Sequence, residues 1–287
     1  MRNLNKSGQN LVSNTSNSFS TKHMLIIGDA LEVLKDRDLL PKESINLIVT
    51  SPPYGLGKDY GDTFRDDFNL SKWTEMVEKV GVEAHTILKS NGSFFFNVSP
   101  IPDKKTSEIV PLDSYAYMAL KKCGFQLRNK IMWRFHNMQN CTKRLSGRWE
   151  AILWFVKDLE KYVFNLDAIR VPYLTNDSRI TGTGRNPTDV WFFHRINNMT
   201  KNKLGIDHPC VYPEDMIMRI VKMSSNPGDL ILDPFVGSGT TMRVARMLNR
   251  NSIGIEINPK YEKLVRKRVE PEQTTLSSRC MFEVIRA

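Results

Sequence analysis

The chain contains no run of about 18 apolar residues, the length a membrane-crossing helix needs, so such a span is excluded. Cysteine is scarce. Cys123, Cys141, Cys210 and Cys280 are the four in 287 residues, and none forms a C-x-x-C pair. That scatter excludes a disulfide framework and a cysteine-built zinc site, and it fits the reduced thiols of an intracellular protein. The five histidines are also dispersed, and no metal site is expected. Acid is absent from residues 1–22, where twelve positions are Asn, Ser or Thr. Apolar positions there are too sparse for an amphipathic helix, so a disordered N-terminal arm is expected.

The 287 residues include 40% hydrophobic ones, enough for a sizeable core, and 41 Lys and Arg against 31 Asp and Glu give a formal charge of +10. Residues 128–205 carry +8 of that excess, fourteen basic residues against six acids, with tryptophan and other aromatics between them. A solvated basic face would look the same, but the concentration in one third of the chain points to a phosphate-binding surface.

Seven short apolar runs read as strands: Met24–Ile27, Ile45–Thr50, Ser93–Val98, Asn129–Trp133, Ala151–Val156, Leu230–Leu232 and Ser252–Ile255. Helical patterns fall at Ala30–Lys35, Leu70–Leu88, Ser114–Lys121, Pro213–Met223 and Thr240–Leu248. Strands alternating with helices imply an α/β fold, a mostly parallel sheet covered on both faces. The fourth and fifth runs have only the loop Phe135–Trp149 between them, so they should pair antiparallel.

Two loops carry chemistry. Strand Leu230–Leu232 runs into Asp233-Pro234-Phe235-Val236-Gly237-Ser238-Gly239-Thr240-Thr241 and then a helix. An acid and a glycine turn between strand and helix let a small polar ligand approach the backbone. The loop has no Walker lysine and no neighbouring arginine, so a cationic ligand suits Asp233 better than a pyrophosphate. About twenty residues further on, Glu256 ends a strand where a carboxylate accepts ribose hydroxyls. The second loop is Ser51-Pro52-Pro53-Tyr54. Its prolines lock the backbone and free carbonyls, so Ser51 and the Pro52 carbonyl can accept hydrogens from an exocyclic amine, with Tyr54 as a stacking face.

Together these motifs resemble the S-adenosylmethionine-dependent DNA amino-methyltransferases. The order, tetrapeptide before cofactor loop, is similar to their circularly permuted beta class. The resemblance spans about Leu25 to Arg268 and includes Ile26-Ile27-Gly28-Asp29-Ala30 and the H-P-x-x-x-P segment His208–Pro213. It implies a Rossmann-like methyltransferase fold with seven strands, mostly parallel, the last antiparallel. It also implies a catalytic domain over 23–270 with a target-recognition insertion over 157–202, which leaves the arm over 1–22 and a tail over 271–287 outside it.

For the site, the resemblance implies that Ser51, Pro52, Pro53 and Tyr54 are catalytic. It assigns Asp29, Asp233, Phe235, Gly237, Ser238, Gly239, Thr240 and Glu256 to S-adenosylmethionine, with Asp29 on the adenine amine and Asp233 facing the sulfonium. Arg144, Arg148, Arg179 and Arg185 are candidates for DNA contact. Serine at the head of the tetrapeptide is most typical of cytosine-N4 enzymes, which favours that base over adenine N6. A non-catalytic nucleic-acid-binding relic is the rival from another class. Pro209-Cys210 is similar to the nucleophile dipeptide of carbon-5 enzymes, but it lies far from the tetrapeptide and just before a helix. The implied setting is cytoplasmic, bacterial or archaeal. Implied partners are double-stranded DNA, a cognate restriction endonuclease and a second copy in a homodimer.

Overall fold

The structure, a computed structural model, describes residues 19–54, 56–59, 65–67, 69–136, 140–173, 182–270 and 278–287. The strands are β1 (Phe19–Ile27), β2 (Ile45–Thr50), β3 (Leu56–Asp59), β4 (Arg65–Asp67), β5 (Leu88–Val98), β6 (Ile101–Pro102), β7 (Ile109–Val110), β8 (Gln126–Arg134), β9 (Trp149–Val156), β10 (Val190–Phe192), β11 (Leu230–Asp233), β12 (Asn251–Glu256) and β13 (Ser278–Arg286). The helices are α1 (Ala30–Val33), α2 (Leu70–Ile87), α3 (Leu112–Lys122), α4 (Asn198–Leu204), α5 (Glu214–Ser224), α6 (Thr240–Met247) and α7 (Glu262–Val269).

Nine strands form one sheet in the order β10-β8-β9-β5-β2-β11-β12-β1-β13, and β3-β4 and β6-β7 are small hairpins. All seven apolar runs lie in the large sheet. Strand β9 pairs antiparallel with β5 and β8, whereas the other pairings of this sheet are parallel. This is the expected Rossmann-like arrangement with one more strand at each edge.

Helices cover both faces because α1, α2, α3, α5 and α6 each turn apolar residues towards the sheet. Helix α2 starts at the Asn69 cap, whose side chain accepts from Lys72 N, and buries Trp73, Val77, Val80, Ala84 and Ile87. Burying a valine or isoleucine of this stripe stabilises the fold by about 1.5–3 kcal/mol. A Cβ on Gly81 would stand 2.8 Å from Cys123 Sγ and from Leu120, so glycine sets how closely α2 meets α3. Helices α1 to α3 cover one face over Phe94 and Phe96, and α5 and α6 cover the other over Phe95 and Trp154.

Two boundaries differ from expectation. Residues 19–22, expected in the arm, already belong to β1, and the His23 ring bridges Thr21 Oγ1 (3.0 Å) and Ser252 Oγ (2.7 Å). Residues 278–286, expected in a tail, form β13, which pairs with β1 in register from Phe19–Ser278 to Ile27–Arg286. The physical reason is the open edge. Leu25 and Ile26 are fully buried, and β13 satisfies backbone groups that β1 would otherwise leave exposed. Within 157–202, β10 hydrogen-bonds to β8, so this stretch is attached to the sheet.

Candidate active site

Strands β2 and β11 are parallel neighbours, with Leu47 opposite Ile231 and Ile48 opposite Leu232. Both motif loops therefore leave the same edge of the sheet, at the point where the strand order departs in both directions. Ligands bind at such a crevice in open α/β sheets. A cavity of about 1590 Å³ lies there, lined by residues of both loops.

Ser51, Pro52, Pro53 and Tyr54 all line it. The Pro53 carbonyl accepts from the buried Trp73 indole at 2.8 Å, which fixes the tetrapeptide on α2. Ser51 Oγ and the Tyr54 hydroxyl are 2.8 Å apart. Around them is a polar network that sequence reasoning missed. Asn97 Nδ2 donates to the Tyr54 hydroxyl and to Glu150 Oε2, both at 2.8 Å, and lies 3.4 Å from Ser51 Oγ. The Tyr54 hydroxyl also lies 3.1 Å from the Asn97 carbonyl and 3.3 Å from Glu150 Oε2. Arg195 approaches Glu150 Oε1 at 3.7 Å with its guanidinium over the Phe135 ring. A signal for both was there: Asn97 follows the run Phe94–Phe96 in β5, and Glu150 stands in the apolar run of β9.

The glycine turn follows β11. Gly237 has φ +50° and Gly239 φ +79°, and a Cβ on Gly237 would stand 2.8 Å from the His208 ring. Glycine there admits both the left-handed backbone and the close histidine. Phe235, Gly237, Ser238 and Thr240 line the cavity, as do Asp29 and Glu256. Asp29 is exposed and caps α1 by accepting from Leu31 N at 2.7 Å. Glu256 accepts from Gly237 N (3.0 Å) and Asn258 N (2.9 Å), and burial still pushes its carboxyl up to about 7.

Asp233 is not where the resemblance puts it. Its carboxylate is buried and takes hydrogen bonds from Thr50 Oγ1 (2.7 Å), Thr241 Oγ1 (2.6 Å) and the Tyr212 hydroxyl (2.9 Å). It does not line the cavity. Burial raises its pKa while the three hydroxyls oppose the rise. The side chain turns inward because those donors sit on β2, α6 and the segment before α5, so the acid ties three elements beneath the turn. Gly239 likewise acts from beneath, as the cap residue of α6. The loop also has an arginine after all, brought by the fold from α7. Arg268 Nη1 donates to the Ser238 carbonyl (2.8 Å) and Thr240 Oγ1 (3.0 Å), and its Nη2 to Glu214 (2.7 Å).

The four arginine candidates do not share one role. Arg144 is exposed on the cavity rim. Arg148 donates to the His136 carbonyl and to Asn140 Oδ1, bracing the loop between β8 and β9. Arg185 bridges Val171 through its backbone, away from the cavity lining, and Arg179 lies outside the described residues.

A parallel sheet with one antiparallel strand, a glycine turn after β11 and a carboxylate ending β12 define a Rossmann-like methyltransferase. The family profile described as DNA methylase (N6_N4_Mtase) matches residues 45–267, and the chain belongs to this family of S-adenosylmethionine-dependent DNA methyltransferases. It is 37% identical over 249 residues to the Type II methyltransferase M.HpaI of Haemophilus parainfluenzae, covering 86% of this chain and 74% of that one. It is 33% identical over 258 residues to the DNA adenine methyltransferase YhdJ of Escherichia coli K12, covering 86% and 82%. Its fold is similar to that of the PvuII DNA methyltransferase (cytosine-N4-specific), with a TM-score of 0.70 at 21% identity over 90% of this chain and 91% of that one. One sequence relative is thus named for adenine, and one protein of similar fold for cytosine N4. No helix among the described residues is long and apolar enough to cross a membrane.

Proposed function

We propose that the protein methylates N4 of a cytosine flipped out of duplex DNA, as the modification enzyme of a restriction–modification system. The observation that carries this is Ser51, a neutral hydroxyl beside the Pro52 carbonyl on the cavity wall, where the related motif has serine in cytosine-N4 enzymes. An exocyclic amine is a poor nucleophile because its lone pair is delocalised into the ring. Two acceptors, Ser51 Oγ and the Pro52 carbonyl, hold its hydrogens and favour a pyramidal nitrogen with the lone pair free. The same acceptors meet the positive charge that develops on nitrogen. Tyr54, held by Asn97 and Glu150, presents its ring to the extruded base.

The turn and its carboxylates fit S-adenosylmethionine. Glu256 is a buried acceptor facing the cavity, Asp29 an exposed one, and Gly237 leaves open the space a Cβ would fill. Asp29, Phe235, Gly237, Ser238, Thr240 and Glu256 would hold the cofactor, with Asp233 and Gly239 shaping the turn from below. When bound, it supplies a methyl group activated by a sulfonium. The residues here position the amine for an in-line displacement, and positioning accounts for most of the rate.

Adenine N6 is the second reading, supported by the 33% identity to YhdJ. Nucleoside digestion of DNA methylated by the protein, followed by mass spectrometry, distinguishes them. N4-methyldeoxycytidine is expected, and N6-methyldeoxyadenosine alone would replace the first reading with the second. The restriction–modification setting further implies an endonuclease blocked by the same methylation, and a homodimer belongs to the same proposal.

A further inference from the structure

Leu145 is 94% exposed and sits on the rim of the cavity that holds the tetrapeptide. A lone exposed leucine is ordinary on a protein surface. This one differs in how it is held. Phe135 N donates to the Arg148 carbonyl at 3.0 Å, and Cys141 N donates to Ser146 Oγ at 3.0 Å. The Arg148 guanidinium ties His136 to Asn140 across the same loop. These bonds brace the described residues of the loop, 135–136 and 140–148, yet Leu145 presents a bare aliphatic side chain to water beside the exposed cation of Arg144.

An extruded base leaves a gap between its neighbours in the stack, and an apolar side chain inserted there replaces the lost stacking contacts. We propose that Leu145 is that wedge: it enters the duplex where the target base leaves and holds the flipped state open, while Arg144 meets the adjoining phosphate. This rests on the reading that the protein methylates a base in duplex DNA. It assigns Leu145 a positioning role, since the side chain acts on the stack and leaves the reacting atoms untouched.

The test uses the full chain, wild type and Leu145→Ala, with a duplex oligonucleotide carrying the site found by methylome sequencing. A second duplex places an abasic site opposite the target base, so that little pairing opposes extrusion. Single-turnover methylation by Leu145→Ala should fall roughly tenfold on the paired duplex and stay within about twofold of wild type on the abasic one. Leu145→Met should restore the paired rate. An unchanged rate on the paired duplex overturns the proposal, as does an equal loss on both duplexes, which would place Leu145 in binding or folding. If the wild type methylates neither duplex, the functional reading falls and the wedge with it.

Discussion

Glu256 offers the sharpest test of how the turn receives its ligand. Burial holds this carboxyl at about 7 instead of 4.5, against the pull of three backbone amides, those of Asn258, Gly237 and Ile257. Its folded pKa lies above its unfolded one. The associated stability is therefore present below pH 4.5 and lost as pH rises through about 7, a difference of about 3 kcal/mol. Ribose hydroxyls donate best to the ionised form, so nucleoside binding should draw the proton off. With a pKa of about 7, roughly a tenth of the groups are ionised at pH 6 and roughly nine tenths at pH 8. Affinity should then rise about tenfold across that interval and level off above it. The ligand 5′-methylthioadenosine suits the measurement because it keeps the nucleoside and lacks the titrating amino-acid end. Calorimetric titration of wild type and Glu256→Gln between about pH 5.5 and 8.5 should show the rise in the first and a weak, flat affinity in the second. A flat wild-type profile, or the same rise in Glu256→Gln, would refute the assignment.

Three further outcomes follow from the geometry. Asp233→Ala leaves the Thr50, Thr241 and Tyr212 hydroxyls without their buried acceptor, so it should lower unfolding free energy by about 2–3 kcal/mol and cofactor affinity together; lost affinity with an unchanged thermal transition would return the carboxylate to direct ligand contact. Arg144→Gln should lower the log–log salt slope of DNA binding by roughly 0.9, whereas Arg148→Gln should mainly lower Tm through its loop contacts; an unchanged slope for Arg144→Gln would mean a solvated side chain. His23 is held down at about 4, mainly by burial, so its stabilisation is present above pH 6.5 and lost as pH falls through about 4. Urea unfolding at about pH 7 and 4.5 should show a stability loss that shrinks by about 2–3 kcal/mol in His23→Asn, and an identical acid loss in the variant would exclude His23 as the cause.

The buried strands were legible because each is a continuous apolar run, and the helices because their stripes repeat at helical spacing. What escaped has a physical cause in each case. Strand β10 buries only Trp191 and β13 is half-buried, so neither shows a sustained pattern. Helix α4 buries nothing, and α7 counts the charged Arg268 among its three buried residues, which hides its stripe. The two motif loops were visible because their chemistry is contiguous in sequence. Asn97, Glu150 and Arg268 belong to no contiguous motif, and only the topology gathers them, from β5, β9 and α7. Asp233 was recognised as important but turned the wrong way, since a motif names a residue without saying which side of the backbone its side chain takes.

The Thr50 hydroxyl bonded to Asp233 has a consequence for how the two substrates sense each other. Thr50 immediately precedes Ser51, and Asp233 lies two residues before Phe235, so this hydrogen bond joins the strand ends from which the two motif loops leave. If cofactor and DNA bind these loops as proposed, a ligand that tightens one side should bias the other, and such coupling is reciprocal: each should change the other's affinity by the same factor. Thr50→Val should weaken that coupling, read as a smaller change in cofactor affinity on adding DNA, while the β2–β11 pairing persists.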